Sequence, residues 1–125
     1  PAPKTPLEPA ATVISNKAVV NWIKDYNTLP AEKNPSSPRA FTSKLRTARE
    51  WGEQHGRPIH VGEFGCYTSA DPESRARYYA EFRRAAELDG IGWAIWDWKA
   101  GFKYWDEKRS QPTQGMREAL FGKTK

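Results

Sequence analysis

The stretch Pro58-Ile59-His60-Val61-Gly62-Glu63-Phe64-Gly65 decides how the rest of the chain is interpreted. It is a short, largely apolar run, and such a run predicts a buried strand, here over residues 58–63. Glu63 would stand at the carboxyl end of that strand, where α/β folds collect their functional groups. A glutamate at a strand end can equally serve a surface ion pair, and the residues alone leave both roles open.

A second strand is predicted over residues 91–97, in a run that ends in several tryptophans. Between the two strands, Asp71 and Pro72 form a helix-start signal, and helical periodicity continues to about Asp89. The predicted inner face of this helix consists of Arg75, Tyr78, Tyr79, Phe82 and Ala86. Near-continuous apolar strands joined by a helix indicate a parallel βαβ unit, and therefore the α/β class. Because sheets usually contain about four to six strands, two strands leave the sheet unfinished.

The remaining sequence predicts three more helices and an extended beginning. Pro1–Ala11 is rich in proline and has no periodicity, which indicates an exposed, extended segment. The predicted helices span residues 16–26, 38–55 and 112–121, and the second begins at the Ser37-Pro38 pair. In the last helix, Met116 and Leu120 are expected to point inward. We divide the chain into residues 1–37, an extended loop with a short helix, and residues 38–125, which carry the βα units.

The composition indicates one ordinary globular domain, and six tryptophans in so short a chain favour flat, stackable ligands. The chain has 125 residues, of which 38% are hydrophobic and 28% charged. The formal net charge of +5 comes from scattered basic residues, so we expect a solvated surface rather than a nucleic-acid partner. A lone cysteine excludes an internal disulfide, and no apolar run predicts a membrane span or a membrane partner. The chain is therefore expected to be soluble as given.

Four blocks of sequence carry a resemblance to a known family. They are Gly62-Glu63-Phe64-Gly65 followed by Tyr67, Ala70-Asp71-Pro72-Glu73-Ser74-Arg75, Trp93-Ala94-Ile95-Trp96-Asp97-Trp98, and Gly101-Phe102-Lys103-Tyr104-Trp105-Asp106. Their order and spacing, from about Ser37 to Gly122, resemble the carboxyl-terminal part of cellulases of glycoside hydrolase family 5. The resemblance implies a fragment of a (β/α)8 TIM barrel that carries helix 6, strand 7, helix 7, strand 8 and helix 8. Residues 1–37 would then follow the absent strand 6.

The resemblance also implies an activity and a site. Glu63 would be the nucleophile of a retaining endo-β-1,4-glucanase, and its flanking glycines would let a sugar ring approach closely. Trp96 would be the platform for the sugar at the cleavage point, and Trp98, Lys99 and Phe102 would be further substrate-binding residues. Lys99 could donate to a sugar hydroxyl or simply be solvated.

One catalytic group expected from the family has no counterpart in this chain. The family's general acid/base is a glutamate in an Asn-Glu-Pro motif, whereas the Asn34-Pro35 pair has no glutamate between its members. A complete barrel needs about 250 residues. The expected partners are therefore a β-glucan polysaccharide or oligosaccharide, together with the missing part of the barrel or further copies of the chain. The parent protein would be secreted or periplasmic.

Side-chain alternation along the second strand assigns its residues to two faces. Trp96 would face the barrel interior with Gly92 and Ala94 beneath it, whereas Trp93 and Ile95 would lie under the helices. The same alternation along the first strand would place His60 opposite Glu63.

Other aromatic and acidic residues have simpler interpretations. Trp22, Trp51 and Trp93 are expected to be core residues, since tryptophans on helix stripes more often pack than bind ligands. Asp97 is disfavoured as a catalytic acid by its outward alternation, and Asp106 is expected to hold the backbone of its loop.

No metal or cofactor is expected. His55 and His60 lack a second ligand at zinc-binding spacing. Cys66 has no evident histidine partner, so a partly buried small side chain is the better interpretation than thiol chemistry.

Two functional classes remain open. The first is the carboxyl-terminal part of a retaining glucanase, with the reaction completed by residues outside this chain. The second is a non-catalytic carbohydrate-binding or self-assembling barrel fragment, in which exposed Trp96 and Trp98 hold glycan.

Overall fold

A computed structural model describes residues 6–9, 12 and 14–122. In chain order the elements are α1 (Lys17–Thr28), α2 (Arg39–His55), β1 (His60–Phe64), α3 (Pro72–Leu88), β2 (Gly92–Ile95), β3 (Trp105–Asp106), β4 (Gln111–Pro112) and α4 (Met116–Phe121). The chain divides into two units, Pro1–Ser43 and Lys44–Lys125. Much of the predicted extended segment Pro1–Ala11 lies outside the described residues. None of the helices in the described part of the chain is long and apolar enough to cross a bilayer.

The first unit is organised by asparagine side chains. Asn16 accepts hydrogen bonds from the amides of Ala18 and Val19, which starts α1 close to the predicted position. Asn34, which is buried, donates through Nδ2 to the carbonyl oxygens of Tyr26 and Leu29. The side chain of Asn34 therefore satisfies the carbonyl groups at the end of α1 that have no partner within the helix.

Two tryptophans expected in the core are instead exposed. Trp22 is 44% and Trp51 51% exposed. Each stacks on the aromatic ring four residues later in its own helix, with ring centroids 5.3 Å apart for Trp22 and Tyr26 and 4.3 Å apart for Trp51 and His55. This local contact covers one ring face without burying the indole. Core positions were therefore wrongly predicted from helical spacing at these two residues.

The second unit is built on the parallel pair of β1 and β2. His60 pairs with Gly92, Val61 with Trp93, and Phe64 with Ile95. Three steps along β1 therefore match only two along β2, so β1 contains one extra residue before its end. Both predicted strands exist, although the first runs to Phe64 and the second ends at Ile95 rather than residue 97.

α3 joins the two strands and covers one face of the pair. Asp71 caps the helix by accepting a hydrogen bond from the Ser74 amide, and Pro72 occupies the first turn, as the sequence predicts. The buried positions of α3 are Arg75, Tyr79, Phe82 and Ala86. All four belong to the predicted inner face. Phe82 stacks on Phe64 of β1 with centroids 4.2 Å apart, which fixes the helix against the strand.

The final helix starts later than predicted, at Met116 rather than residue 112. The residues before it form the antiparallel hairpin of β3 and β4, in which Trp105 pairs with Pro112 and Asp106 with Gln111. Strands of two residues have no periodicity to detect, and Pro112, where the predicted helix began, lies in β4. Met116 and Leu120 are buried, as expected.

A buried polar pair on α3 holds the loops that follow both strands. Arg75 is 4% and Tyr79 0% exposed. Arg75 donates from Nε to the Cys66 carbonyl oxygen at 3.1 Å and from Nη2 to the carbonyl oxygens of Phe102 and Lys103, both at 3.0 Å. These bonds tie the loop after β1 to the loop after β2 through one helix side chain.

The Tyr79 hydroxyl makes a second set of ties to the same loops. It accepts from the Cys66 amide at 3.2 Å and lies 3.3 Å from the Trp96 carbonyl oxygen and 3.2 Å from that of Phe102. Leaving a buried backbone group without a hydrogen-bond partner lowers the free energy of unfolding. The hydroxyl therefore contributes to stability beyond the packing of its ring.

Replacing Tyr79 by phenylalanine tests this contribution. Tyr79→Phe removes the hydroxyl and leaves buried backbone groups without a partner, so we expect the free energy of unfolding to fall by about 1–3 kcal/mol. Urea denaturation followed by circular dichroism measures the change. Tyr67→Phe makes the same chemical change at a ring that is 55% exposed and should stay within about 0.5 kcal/mol of the parent. Equal losses in the two variants would contradict the assigned role.

Candidate active site

Glu63 lies near the carboxyl end of β1 with an exposed side chain. Among the described residues, no hydrogen bond or ion pair engages its carboxylate. Phe64, the next residue, is buried and contacts α3, so strand alternation places Glu63 on the face away from α3. The carboxylate is therefore exposed on the face of the parallel pair opposite α3, here called the uncovered face because α3 does not cover it.

The extra residue in β1 changes the predicted position of His60. A Cβ atom added to Gly92 would lie 2.7 Å from His60 Nδ1, so His60 occupies the Gly92 face of the sheet. Trp93, the next residue, contacts the Phe64 ring and donates from Nε1 to Glu87 of α3, so Gly92 faces away from the helix. His60 and Glu63 therefore share the uncovered face, and the prediction of opposite faces was wrong because strict alternation did not allow for the bulge.

Trp96 follows β2 and joins the same end of the sheet. Its amide donates to the Phe64 carbonyl oxygen at 2.8 Å, and its side chain is exposed. Alternation from Trp93 places Ala94 and Trp96 on the face away from α3, where Glu63 also lies. The Trp96–Asp97 peptide bond is cis. The structure thus has a carboxylate and an open indole at neighbouring strand ends and on one face.

The loop after β2 adds a stack of aromatic rings. Trp98 is 56% exposed and stacks on Trp105 at 5.5 Å with an interplanar angle of 7°, and on Tyr104 at 5.4 Å. Trp105 was not among the predicted site residues. The Tyr104-Trp105 pair follows Trp98 closely in the sequence, and the loop between them closes through backbone hydrogen bonds from Tyr104 to Asp97 and from Trp105 to Trp98.

Lys99 and Phe102 are both partly engaged within the protein. Lys99 Nζ lies 3.1 Å from Glu107 Oε1, in an ion pair whose two side chains are mostly exposed. Phe102 is half-buried and meets Tyr67 edge-on with centroids 5.3 Å apart. The Lys99 pair is weakly held because exposed ion pairs contribute little in water. Phe102 is more firmly placed, since Arg75 binds its carbonyl oxygen.

Asp97 and Asp106, which also lie near the carboxyl ends of the strands, bind backbone amides of their own loops. Asp97 accepts hydrogen bonds from the amides of Ala100 at 2.6 Å and Phe102 at 3.4 Å. Asp106 accepts from the amides of Lys108 and Arg109 at the hairpin turn, as expected for that residue. Both carboxylates are thus committed to loop geometry, which leaves Glu63 as the open one of these three.

The two glycines beside Glu63 have different roles. A Cβ atom on Gly62 would meet nothing within 4 Å, whereas one on Gly65 would overlap the Trp96 carbonyl oxygen and lie 3.1 Å from the Phe102 ring. Only Gly62 therefore leaves open space of the kind that a sugar ring could use. Gly65 instead allows the loop after β2 to close onto the end of β1.

Alanine substitutions separate these roles. In Gly65→Ala the new methyl group meets backbone that cannot rotate away, so we expect a loss of about 1–3 kcal/mol in the free energy of unfolding. Gly62→Ala, three residues earlier, should change it by less than about 0.5 kcal/mol. Chemical denaturation of both variants provides the measurement. A Gly65→Ala protein as stable as the parent would show that the two loops are not closely packed there.

Cys66 lies beyond the end of β1 and is not arranged for thiol chemistry. Burial raises the pKa of its thiol, which outweighs the lowering by the Arg75 charge. No group of three or more His, Cys, Asp or Glu side chains that could hold a metal ion occurs in the described part of the chain.

The raised pKa predicts slow alkylation of Cys66. At pH 8 a smaller fraction of the thiol is ionised than in the unfolded chain, and the thiolate is the nucleophile. Iodoacetamide should therefore react more slowly with the folded protein than with the urea-unfolded protein, as measured by mass spectrometry. A small free thiol in both solvents corrects for the effect of urea on the reagent. Equal corrected rates would contradict a raised pKa for the Cys66 thiol in the folded protein.

Comparison with known proteins points to endoglucanases. No family model matches the chain. Endoglucanase C of Acetivibrio thermocellus is 26% identical over 108 residues, which cover 86% of this chain and 30% of that protein. Endoglucanase C307 of Clostridium sp. (strain F1) has the same identity and coverage. The chain thus spans about 30% of the length of these relatives.

A solved structure gives the same result for the fold. Thermotoga maritima Cel5A in complex with mannotriose is 31% identical with a TM-score of 0.64, over 70% of this chain and 28% of that one. The comparisons confirm the resemblance to part of a cellulase of glycoside hydrolase family 5. The chain has the mixed helices and strands of a fragment whose structural neighbours are TIM-barrel endoglucanases.

Proposed function

We propose that this chain forms the carboxyl-terminal part of a retaining endo-β-1,4-glucanase, with Glu63 as the nucleophile and Trp96 as the sugar platform. The observation that carries the proposal is the shared position of these two side chains. Both are exposed, on one face, at the carboxyl ends of paired parallel strands. Barrel enzymes hold their catalytic groups at this end of the strands.

The proposal assigns barrel positions to the elements of the second unit. β1 and β2 would be strands 7 and 8, with α2, α3 and α4 as helices 6, 7 and 8. The uncovered face that carries Glu63 and Trp96 would then face the interior of the barrel. The remaining strands would come from another part of the same protein or from further copies of this chain, and would cover edges that two strands leave open.

The reaction requires one group from outside this chain. A Glu63 oxygen attacks the anomeric carbon and forms an ester bond, while the bond from that carbon to the leaving oxygen breaks. The leaving oxygen takes a proton from a second carboxylic acid about 5–5.5 Å away, which the missing part of the barrel would supply. Water then attacks the anomeric carbon and gives its proton to that second carboxylate. Glu63 leaves as a free carboxylate.

The surrounding aromatic residues fit a substrate whose sugar rings stack on aromatic side chains. Trp96 would stack on the pyranose beside the cleaved bond, and Trp98, supported by Trp105, would hold a neighbouring ring. Lys99 and Phe102 would add contacts from the same loop. The solved relatives were studied with cellobiose and mannotriose, which supports a β-linked oligosaccharide as ligand. We place the parent protein outside the cytoplasm, where such polymers occur.

Exposed tryptophans and open strand edges favour a second candidate function. Trp96 and Trp98 could hold glycan without cleaving it, and the uncovered sheet edges could associate with further copies of the chain. This candidate requires no second carboxylate. It differs from the first because Glu63 would have no chemical role.

Covalent trapping tests Glu63 without depending on the absent acid. The reagent is a 2-deoxy-2-fluoro-cellobioside that carries a dinitrophenolate leaving group. This leaving group departs without protonation, so the nucleophile alone can form the glycosyl-enzyme ester. We expect the intact mass of the chain to rise by one fluorocellobiosyl group, with the label on Glu63 in the peptide map. Glu63→Gln should remain unlabelled, whereas Glu50→Gln, at an exposed position on α2, should label like the parent.

The outcomes separate the two candidates. Labelling of the parent and of Glu50→Gln but not of Glu63→Gln supports the nucleophile. An unlabelled parent that binds cello-oligosaccharides, and loses that binding in Trp96→Ala, supports the non-catalytic candidate. Labelling at another residue would contradict the assignment of Glu63.

A further inference from the structure

A second cleft lies beside the hairpin of the second unit, formed by other side chains than those of the proposed active site. Its volume is about 410 Å³, and its lining includes Thr68, Arg75, Lys103, Arg109, Gln111 and Gln114. These residues come from the loop after β1, from α3 and from the segment around β3 and β4. Small-molecule sites commonly have volumes of about 300–1,000 Å³, so the cleft is large enough for a monosaccharide.

The cleft carries an excess of positive charge. Arg75, Lys103 and Arg109 contribute three cations to its lining, whereas Asp106 contributes the single carboxylate. Asp106 already accepts two amide hydrogen bonds at the hairpin turn, and its oxygen lies 3.8 Å from Arg109 Nε. That carboxylate is therefore poorly available to the other two cations.

Arg75 and Lys103 have no carboxylate partner among the described residues. Arg75 is nearly fully buried, and the three bonds that its guanidinium makes all go to backbone carbonyl oxygens. Lys103 is half-buried, and none of the ion pairs in the described part of the chain includes it. A buried charge without a counter-charge favours an incoming anion, because the low local dielectric strengthens the attraction.

Neutral polar groups complete the lining. Gln111 and Gln114 each offer an amide that both donates and accepts hydrogen bonds, and Thr68 offers a hydroxyl. A small inorganic anion needs only the cations. Sugar hydroxyls, by contrast, require partners that can donate and accept. The combination therefore fits a carboxylate attached to a polyhydroxylated ring.

We infer that this cleft binds a hexuronic acid unit of an acidic glycan, with the carboxylate at Lys103, Arg109 and Arg75 and the ring hydroxyls at the glutamines and Thr68. The choice of a sugar acid over another hydroxylated carboxylate rests on the proposed function, in which the neighbouring site of the same chain binds sugar rings. The cleft would thus add recognition of charged sugars beside a site for neutral ones.

Titration of the isotope-labelled full chain with sodium glucuronate, followed by amide chemical shifts, tests the inference. We expect shifts at Thr68, Arg109 and Gln111, and weaker binding by about tenfold in Lys103→Gln, which loses a charge-assisted contact. Lys103→Arg should restore most of the affinity, which separates loss of charge from misfolding. Lys108→Gln, next to Arg109 but outside the cleft lining, should bind like the parent.

Three results would overturn the inference. The first is no shift with glucuronate at low salt, and the second is equal binding of glucose, which lacks the carboxylate. The third is equal binding of acetate or phosphate, which would make the cleft a general anion site. None of these results depends on Glu63. Failure of the covalent trapping experiment would remove the reason for choosing a sugar acid, whereas the titration would still decide whether the cleft binds glucuronate.

Discussion

The arrangement of the second unit depends on the hydrogen bonds that Arg75 and Tyr79 make from the buried face of α3. A guanidinium and a hydroxyl removed from water must find partners, and here the partners are backbone atoms of Cys66, Trp96, Phe102 and Lys103. Two loops that are far apart in sequence are thereby fixed to one helix turn. The open carboxylate of Glu63 and the ring of Trp96 are displayed at the ends of the strands from which those loops begin.

The bulge in β1 is the second constraint on the site. Because β1 has one residue more than its partner between the paired positions, His60 and Glu63 share the face away from α3. Bulges commonly occur next to active sites, where they redirect a side chain. Gly65 contributes at the same point, since the absence of a side chain lets the Trp96 carbonyl group approach β1. Neither of these contacts can be predicted from the positions of the residues in the sequence.

Much of this unit could be predicted from local patterns. Both strands, the cap at Asp71 and the inner face of α3 follow from apolar runs and helix-start chemistry, which act over a few residues. The hairpin of β3 and β4 could not be predicted, because two-residue strands have no period and their pairing is non-local. Trp105 was missed because its stacking on Trp98 depends on how the loop between the two residues closes. Trp22 and Trp51 were placed in the core from helical spacing, although spacing does not reveal what covers a helix face.

The hydrogen bonds of Arg75 and Tyr79 go mainly to carbonyl oxygens rather than to side chains, and every amino acid carries a carbonyl group. Trp96, Phe102 and Lys103 can therefore exchange their side chains while their carbonyl groups keep the attachment. Asp97 is different, because its own carboxylate holds the loop. A scaffold of this kind separates the shape of a loop from its chemistry. It is suited to diversification, in nature or in a mutant library, because selection for a new ligand need not disturb the frame that presents it.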